Sequence, residues 1–273
     1  WNPDGIGLFF DPKGPTKRHA LYAEYREGRK PTPESFKIQM PLILELSKAM
    51  GFPLFIEEGL EADDLIAATA LRAMGDGVHV TVLSADKDMF QFIQSGLEIA
   101  RPTKGVSEIK RYDAERFTAE YGFAPATMAD YLALVGDAVD NIPGIPGIGD
   151  KTARQLLISY GSIEGIYDHL SELTPKRRAL FEEHREKAFW SRSLVLPQEA
   201  EGIDPALLHR GAPDRAAIHA LCAPLGLKKL ELRAGGTPDV LENSPASTAE
   251  AVGDETAAPA LFCALRTVSL AEL

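Results

Sequence analysis

Eight carboxylates stand in ordered groups along the 273-residue chain: Asp11, Glu61-x-Asp63-Asp64, Asp86-x-Asp88 and Asp137-x-x-Asp140. Asp11 and Asp86 fall just past the C-terminal ends of predicted parallel strands, the edge at which open α/β sheets bind ligands. Glu61, Asp63 and Asp64 open a predicted helix. Asp137 and Asp140 are three apart and share a face. Gathered in one crevice, these acids would repel one another unless cations intervened. Mg²⁺ or Mn²⁺ suits carboxylate oxygens, whereas zinc would draw on His or Cys. The chain has six His and two Cys. So many acids leave room for two ions, and a pair about 3.5–4 Å apart stabilises both the attacking and the leaving oxygen of a displacement at phosphorus. A metal-bound water loses its proton more readily, so no histidine base is needed. Each group alone also reads as a solvated helix start or an N-cap. Their recurrence at equivalent places in the fold carries the metal reading.

Residues 143–152 read Pro-Gly-Ile-Pro-Gly-Ile-Gly-Asp-Lys-Thr. A nucleotide phosphate loop fails by one residue, because Asp150 intervenes before Lys151, and no matching strand precedes it. A helix–hairpin–helix fits better. Gly144, Gly147 and Gly149 would let the backbone approach a phosphate, and the N–H groups of the next helix would attract it. Lys151 and Arg154 would add charge. Such contacts read the backbone of DNA and not its sequence. A tight helix–helix turn would use the same residues; the repeated Gly-Ile pattern favours DNA.

The elements that must position these groups alternate. Strands are expected at 6–10, 53–56, 78–83 and 97–100, with helices at 36–50, 61–74 and 87–94. That alternation implies a mainly parallel sheet covered on both faces. Residues 12–35 carry Pro12, Pro15, Pro31 and Pro33 and read as a long connector or helical excursion. From 113 to about 232 helical segments dominate. Residues 234–260 lack large apolar side chains and read as a disordered linker. A further domain is expected to start near 261.

The net charge of −11 taken alone argues against a nucleic-acid binder, but it is unevenly spread. Residues 13–40 hold seven Lys/Arg against three Glu, whereas 59–100 hold two against seven acids and 234–273 one against six. Divalent metals would invert the field of the acidic middle. No run approaches the roughly 18 apolar residues of a membrane span. Cys222 and Cys263 cannot build a disulfide framework, which fits a reducing cytoplasm, and no signal peptide opens the chain. The start at Trp1, without Met, reads as a fragment whose beginning is missing.

The stretches FDPKGPTKRHALYAEYREGRKPTPE, LEADDLIA, LSADKDMFQ and LVGDAVDNIPGIPGIGDKTA resemble, in order and spacing, the flap endonuclease family as represented by the 5′-nuclease domain of bacterial DNA polymerase I. The resemblance covers about residues 5–235. It implies a PIN-like α/β catalytic core over 1–112 with a helical arch at about 13–50. A helical subdomain over 113–233 with a helix-three-turn-helix that grips DNA would follow. It implies divalent-metal hydrolysis of phosphodiesters at 5′ flaps and RNA primers on branched or nicked duplex, with polymerase domains linked downstream. All eight acids fall on the family's metal-binding positions, and Asp86 is also counted as catalytic. Arg18, Tyr25, Arg26 and Arg29 fall in the arch as DNA contacts, with Arg26 and Arg29 counted as catalytic and Tyr25 as a base-stacking residue. Gly144, Gly147, Gly149, Lys151 and Thr152 match the hairpin, where the family often holds K⁺. Arg26 stands where Lys is usual, which keeps the charge and changes its geometry. Lys17 stands where an aromatic is usual. The family's first strand and its metal-ligating Asp would precede Trp1, so the chain alone is expected to be poorly folded or inactive. Two other readings stay open: a DNA-binding module without chemistry, and a different PIN-like metal-dependent nuclease or phosphatase.

Overall fold

The computed structural model describes residues 3–29, 31–104, 108–235 and 261–267. Apolar and β-branched runs form the first strands. β1 (Gly5–Phe9) buries Leu8 and Phe9 and feeds a basic excursion holding α1 (Lys17–Leu21) and α2 (Glu34–Ala49). β2 (Leu54–Phe55) leads into α3 (Ala62–Gly75), which turns Leu65, Ile66, Ala70 and Ala73 inward. Then come β3 (Val78–Leu83), a 3₁₀ turn at Asp88–Phe92, β4 (Leu97–Lys104) and β5 (Glu108–Tyr112). The following elements are helical: α4 (Ala114–Tyr121), α5 (Met128–Val135), α6 (Asp150–Tyr160), α7 (Ile163–Asp168), α8 (Pro175–Glu183), α9 (Arg185–Val195), α10 (Arg215–Cys222) and α11 (Lys228–Gly235). β6 (Leu261–Thr267) returns to the sheet.

The strand order is β2-β1-β6-β3-β4-β5. β1–β2 and β3–β4 are parallel, as expected. The sheet as a whole is mixed, because β5 turns back antiparallel on β4 and β6 runs antiparallel to both β1 and β3. β5 is absent from the sequence reading for a physical reason: of its residues only Tyr112 is buried, so it has little apolar signal. β6 lies between β1 and β3, and it comes from the stretch expected to start a further domain. Of the expected linker, 234 and 235 end α11, and 236–260 lie outside the described residues.

One core joins the sheet to the helices. Phe9, Ile66, Val80, Val82 and Ile99 belong to the same cluster as Phe117, Leu132, Leu157 and Phe181. Its seam is aromatic. Phe90, in the turn after β3, meets Tyr112 at 4.6 Å and Phe117 at 5.5 Å between ring centroids, and Phe117 stacks on Tyr121 at 4.4 Å. These rings fix the loop that carries Asp86 and Asp88 against α4, and Phe123 continues the seam to Tyr131 of α5, the helix that precedes the loop of Asp137 and Asp140. α2 behaves differently. Its helical periodicity is real, but only Ala49 is buried, and Ile38 is 66% exposed. Its last turn rests on a satellite cluster with Ile218 and Cys222.

Candidate active site

The start of α3 meets the end of β1. Glu61 caps the helix and its N–H donates to Asp64 Oδ2 at 3.2 Å, while the Ala62 N–H donates to Asp11 Oδ1 at 2.8 Å. The positive end of the helix dipole thus faces several carboxylates. A second group is shaped by its own backbone. The Asp86 N–H donates to Ser84 Oγ at 3.0 Å and the Asp88 N–H to Asp86 Oδ1 at 2.9 Å. Asp137 and Ile142 exchange both backbone hydrogen bonds, and Asp137 Oδ1 accepts from the Val139 N–H at 2.7 Å. The left-handed Asn141 (φ 55°) closes that loop.

Side chains of residues 25–29, after α1, join the two groups. The Tyr25 hydroxyl lies 3.1 Å from Glu61 Oε2 and 3.0 Å from Asp140 Oδ2. The Arg26 guanidinium reaches Glu61 at 2.9 Å, Asp140 at 3.4 Å and Asp11 at 3.5 Å. Its backbone is left-handed (φ 61°), which lets its N–H donate to the Asp140 carbonyl. Arg29 also pairs with Asp140, and Lys87 with Asp137 at 3.1 Å. Asp11, Glu61 and Asp140 therefore meet at Arg26, and Asp86, Asp88 and Asp137 surround Lys87.

They divide by partner. Asp11, Glu61, Asp64, Asp137 and Asp140 each pair with a cationic side chain. Among the described residues, Asp63, Asp86 and Asp88 have no such partner. Burial, then the neighbouring negative charges, outweigh Arg18 and push the Asp63 carboxyl up to about 8. Burial raises Asp86, with Asp140 and Asp137 adding to it, and raises Asp88, where the Asp86 charge adds most. Burial also acts on Asp140, but Arg26 and Arg29 hold it below the usual carboxylate range. Asp88 Oδ1 is buried without a hydrogen-bond partner, a costly state that a cation would relieve. Among the described residues, no three His, Cys, Asp or Glu side chains are grouped so as to hold a metal ion. Arginine and lysine occupy part of the ligand set instead. The donors fit a hard divalent cation in kind, with Asp63, Asp86 and Asp88 the first available.

This division has a measurable consequence. The raised carboxyls hold protons in the folded state that the unfolded chain has released. Metal-free stability therefore falls as pH rises from about 4 to about 8. Mg²⁺ displacing those protons would raise the thermal midpoint more at pH 8 than at pH 5. Equal Mg²⁺ shifts at both values would contradict the proton–cation exchange.

Two expected DNA contacts are corrected. Arg18 is 2% exposed and forms a fork on Asp64 at 2.7 and 2.8 Å, with the Leu194 and Leu196 carbonyls also accepting. Its guanidinium is an internal tie and faces no DNA. Asp64 also accepts the Gln198 N–H at 2.8 Å, so this expected metal ligand is saturated by protein donors. Tyr25 is 3% exposed, which leaves no ring face for a base. Lys87, which sequence reasoning missed, was discoverable from its place inside Asp86-x-Asp88. Asp130, buried and held by Arg192 at 3.0 Å and the Ile163 N–H at 3.2 Å, carried no such signal and ties α5 to α7 and α9.

The glycines of the hairpin differ in their roles. Gly147 (φ +79°) and Gly149 are exposed, and a Cβ on either would meet nothing within 4 Å. Gly149 caps α6, whose first turn carries exposed Lys151 and half-buried Thr152. Gly144 instead packs on the end of α5, where a Cβ would lie 2.4 Å from the Val135 carbonyl group. Gly144→Ala is expected to cost about 1–3 kcal/mol or more by overpacking, against about 1 kcal/mol or less for Gly149→Ala. Urea melts of the two variants compare them, and equal midpoints would refute the distinction.

Comparisons with known proteins converge on one family. Residues 1–122 match a 5'-3' exonuclease N-terminal resolvase-like domain, and 123–203 match a 5'-3' exonuclease C-terminal SAM fold. The chain is 35% identical over 233 residues to DNA polymerase I of Mycobacterium leprae, covering 85% of this chain and 26% of that protein. It is 36% identical over 244 residues to the thermostable DNA polymerase I of Thermus aquaticus, covering 89% and 29%. The chain thus spans little more than a quarter of these relatives. Two solved structures share the fold. A T5 5'-exonuclease with bound divalent metal ions (zinc) has TM-score 0.57 at 20% identity, covering 84% of this chain and 82% of that one. The catalytic core of Rad2 in complex with a DNA substrate has TM-score 0.56 at 16% identity, covering 83% and 76%.

Proposed function

The chain belongs to the 5'-3' exonuclease family, and from that premise we propose that it is the 5′-nuclease portion of a DNA polymerase I. It hydrolyses phosphodiesters at 5′ flaps and RNA primers on branched or nicked duplex, with two Mg²⁺ or Mn²⁺ ions, and works in the cytoplasm. Among the described residues no helix is long and apolar enough to cross a membrane. The observation that carries the reading is the set of half-buried acids without a cationic partner among the described residues: Asp63, beside Asp11, Glu61 and Asp64, and Asp86 and Asp88, beside Asp137 and Asp140.

Asp63, Asp86 and Asp88 would hold the cations, with Asp11, Glu61, Asp137 and Asp140 joining as their arginine and lysine partners move away. Bound cations supply a nucleophilic water and neutralise charge developing at phosphorus. The chain's own residues do the positioning. Arg26 and Arg29 exchange a carboxylate for the substrate phosphate, a planar two-pronged contact to which guanidinium is suited. Gly147, Gly149 and the first turn of α6, with Lys151 and Thr152, hold a backbone phosphate of the duplex, with K⁺ as a candidate bridging ion. Tyr25, whose ring lies 5.1 Å from the Arg26 guanidinium, keeps Arg26 in reach of the centre.

The test is cleavage of a 5′-flap duplex by the protein carrying this chain with its flanking sequence. Cleavage is expected with Mg²⁺ and none with EDTA. Flap binding without product, equal in Mg²⁺ and EDTA, would favour a DNA-binding module. Cleavage of single-stranded RNA that survives changes at Gly147 and Gly149 would favour a different metal-dependent nuclease.

A further inference from the structure

We propose that Tyr22 and Trp190 form a stacking platform for a nucleobase of single-stranded nucleic acid beside the carboxylate centre, a subsite that rests on the nuclease reading. The two side chains come from distant parts of the sequence. Tyr22 follows α1 and Trp190 lies in α9, yet their rings meet at 4.9 Å between centroids and 75° between planes. An edge-on pair leaves ring faces uncovered by its partner. Trp190 is 37% exposed, and among the described residues its indole N–H has no acceptor.

The pair is anchored to the loops that carry the chemistry. The Tyr22 hydroxyl accepts from Asn141 Nδ2 at 3.2 Å and donates to Glu24 Oε2 at 3.2 Å. Asn141 directly follows Asp140, and its amide also donates to the Glu24 carbonyl at 2.8 Å. On the other side Ser191, next to Trp190, donates from Oγ to the Pro143 carbonyl at 2.6 Å, at the start of the glycine hairpin. Val139, 63% exposed, lies in the same acidic loop. A half-buried Tyr22 and an exposed Trp190 are thus tied to the acidic loop and to the element read as a phosphate cradle. Sites for single-stranded nucleic acid combine these parts, because every base has a π-face and stacking is tolerant of sequence. The Glu24 carboxylate on the Tyr22 hydroxyl disfavours an acidic peptide there, whereas an uncharged base face meets no such penalty.

The chain contains two tryptophans, Trp1 and Trp190. In the protein that carries this chain with its flanking sequence, Trp1 and every further tryptophan are replaced by Phe, so that fluorescence reports Trp190 alone. A 5′-flap duplex with a thymidine flap is titrated in EDTA, so binding is read without cleavage. Trp190 emission is expected to be quenched along the binding curve. Trp190→Ala is expected to weaken flap binding about tenfold, Trp190→Phe to restore most of it, and a blunt duplex to bind all three proteins equally. Flap binding with unchanged emission overturns the proposal. So does a loss for Trp190→Ala that is equal on flap and blunt duplex, since that marks a structural role. A protein that binds flap DNA and cleaves it in Mg²⁺ yet shows neither effect keeps its nuclease function and loses this platform. One that neither binds nor cleaves loses the nuclease reading first.

Discussion

The double variant Asp86→Asn, Asp88→Asn is expected to lose Mg²⁺-dependent flap cleavage by about 10³-fold or more while its metal-free fold is retained or strengthened. These acids follow β3 and have no cationic partner among the described residues, unlike Glu61, Asp64 or Asp140. Each is raised by burial and by the charge of its neighbours. Replacing them removes repulsion and breaks no ion pair, so the thermal midpoint in EDTA should hold or rise. The same change removes two ligands of the proposed cations. Loss of several kcal/mol of charge stabilisation at phosphorus corresponds to about three powers of ten in rate. The stabilisation by Mg²⁺ at pH 8 should shrink with it. Flap cleavage and two thermal scans, in EDTA and in Mg²⁺, report all three effects. Wild-type cleavage by the double variant would remove the basis for the metal site. A collapse of the metal-free midpoint would show instead that the acids are structural.

The gathering of the acids was legible because each lies at an element boundary that local sequence defines. The run at Val78–Leu83 is apolar and β-branched, and it became β3 over the same residues. The helix expected at 61–74 is Ala62–Gly75, with Glu61 as its cap. What the acids are paired with was not legible. Arg18 lies in a basic stretch and reads as a solvated face, yet its partners are Asp64 and two carbonyls of the α9 end, some 46 and 176 positions away for Asp64 and Leu194. Tyr25 was misplaced for the same reason: its burial depends on Glu61 and Asp140, which only the tertiary fold brings to it. β6 is a long-range event as well, since its neighbours β1 and β3 precede it by more than 170 residues. It reads Leu-Phe-Cys-Ala-Leu-Arg-Thr and brings no carboxylate to the sheet.

Arg18→Ala is expected to cost about 3–5 kcal/mol, the usual penalty for leaving one partner of a buried pair uncompensated. For a fold whose total stability is on the order of 5–15 kcal/mol, that is a large share. The physical reason lies in what the guanidinium joins. It links α1 to the start of α3 through Asp64, and to the end of α9 through the Leu194 and Leu196 carbonyls. Removing it leaves a carboxylate with 1% exposure, already held by two backbone N–H groups, without its countercharge. Arg18→Lys keeps the charge but loses the fork, so an intermediate loss is expected. Replacing Arg18→Met together with Asp64→Leu should recover part of the stability, because Asp64 no longer stands unpaired, while buried Glu61, 3.2 Å from Arg18, keeps Arg26 as its partner. Urea melts of the three variants separate this role from a DNA contact. A DNA-contacting Arg18 would give the opposite pattern: Arg18→Ala would melt within about 0.5 kcal/mol of wild type and would lose flap affinity instead.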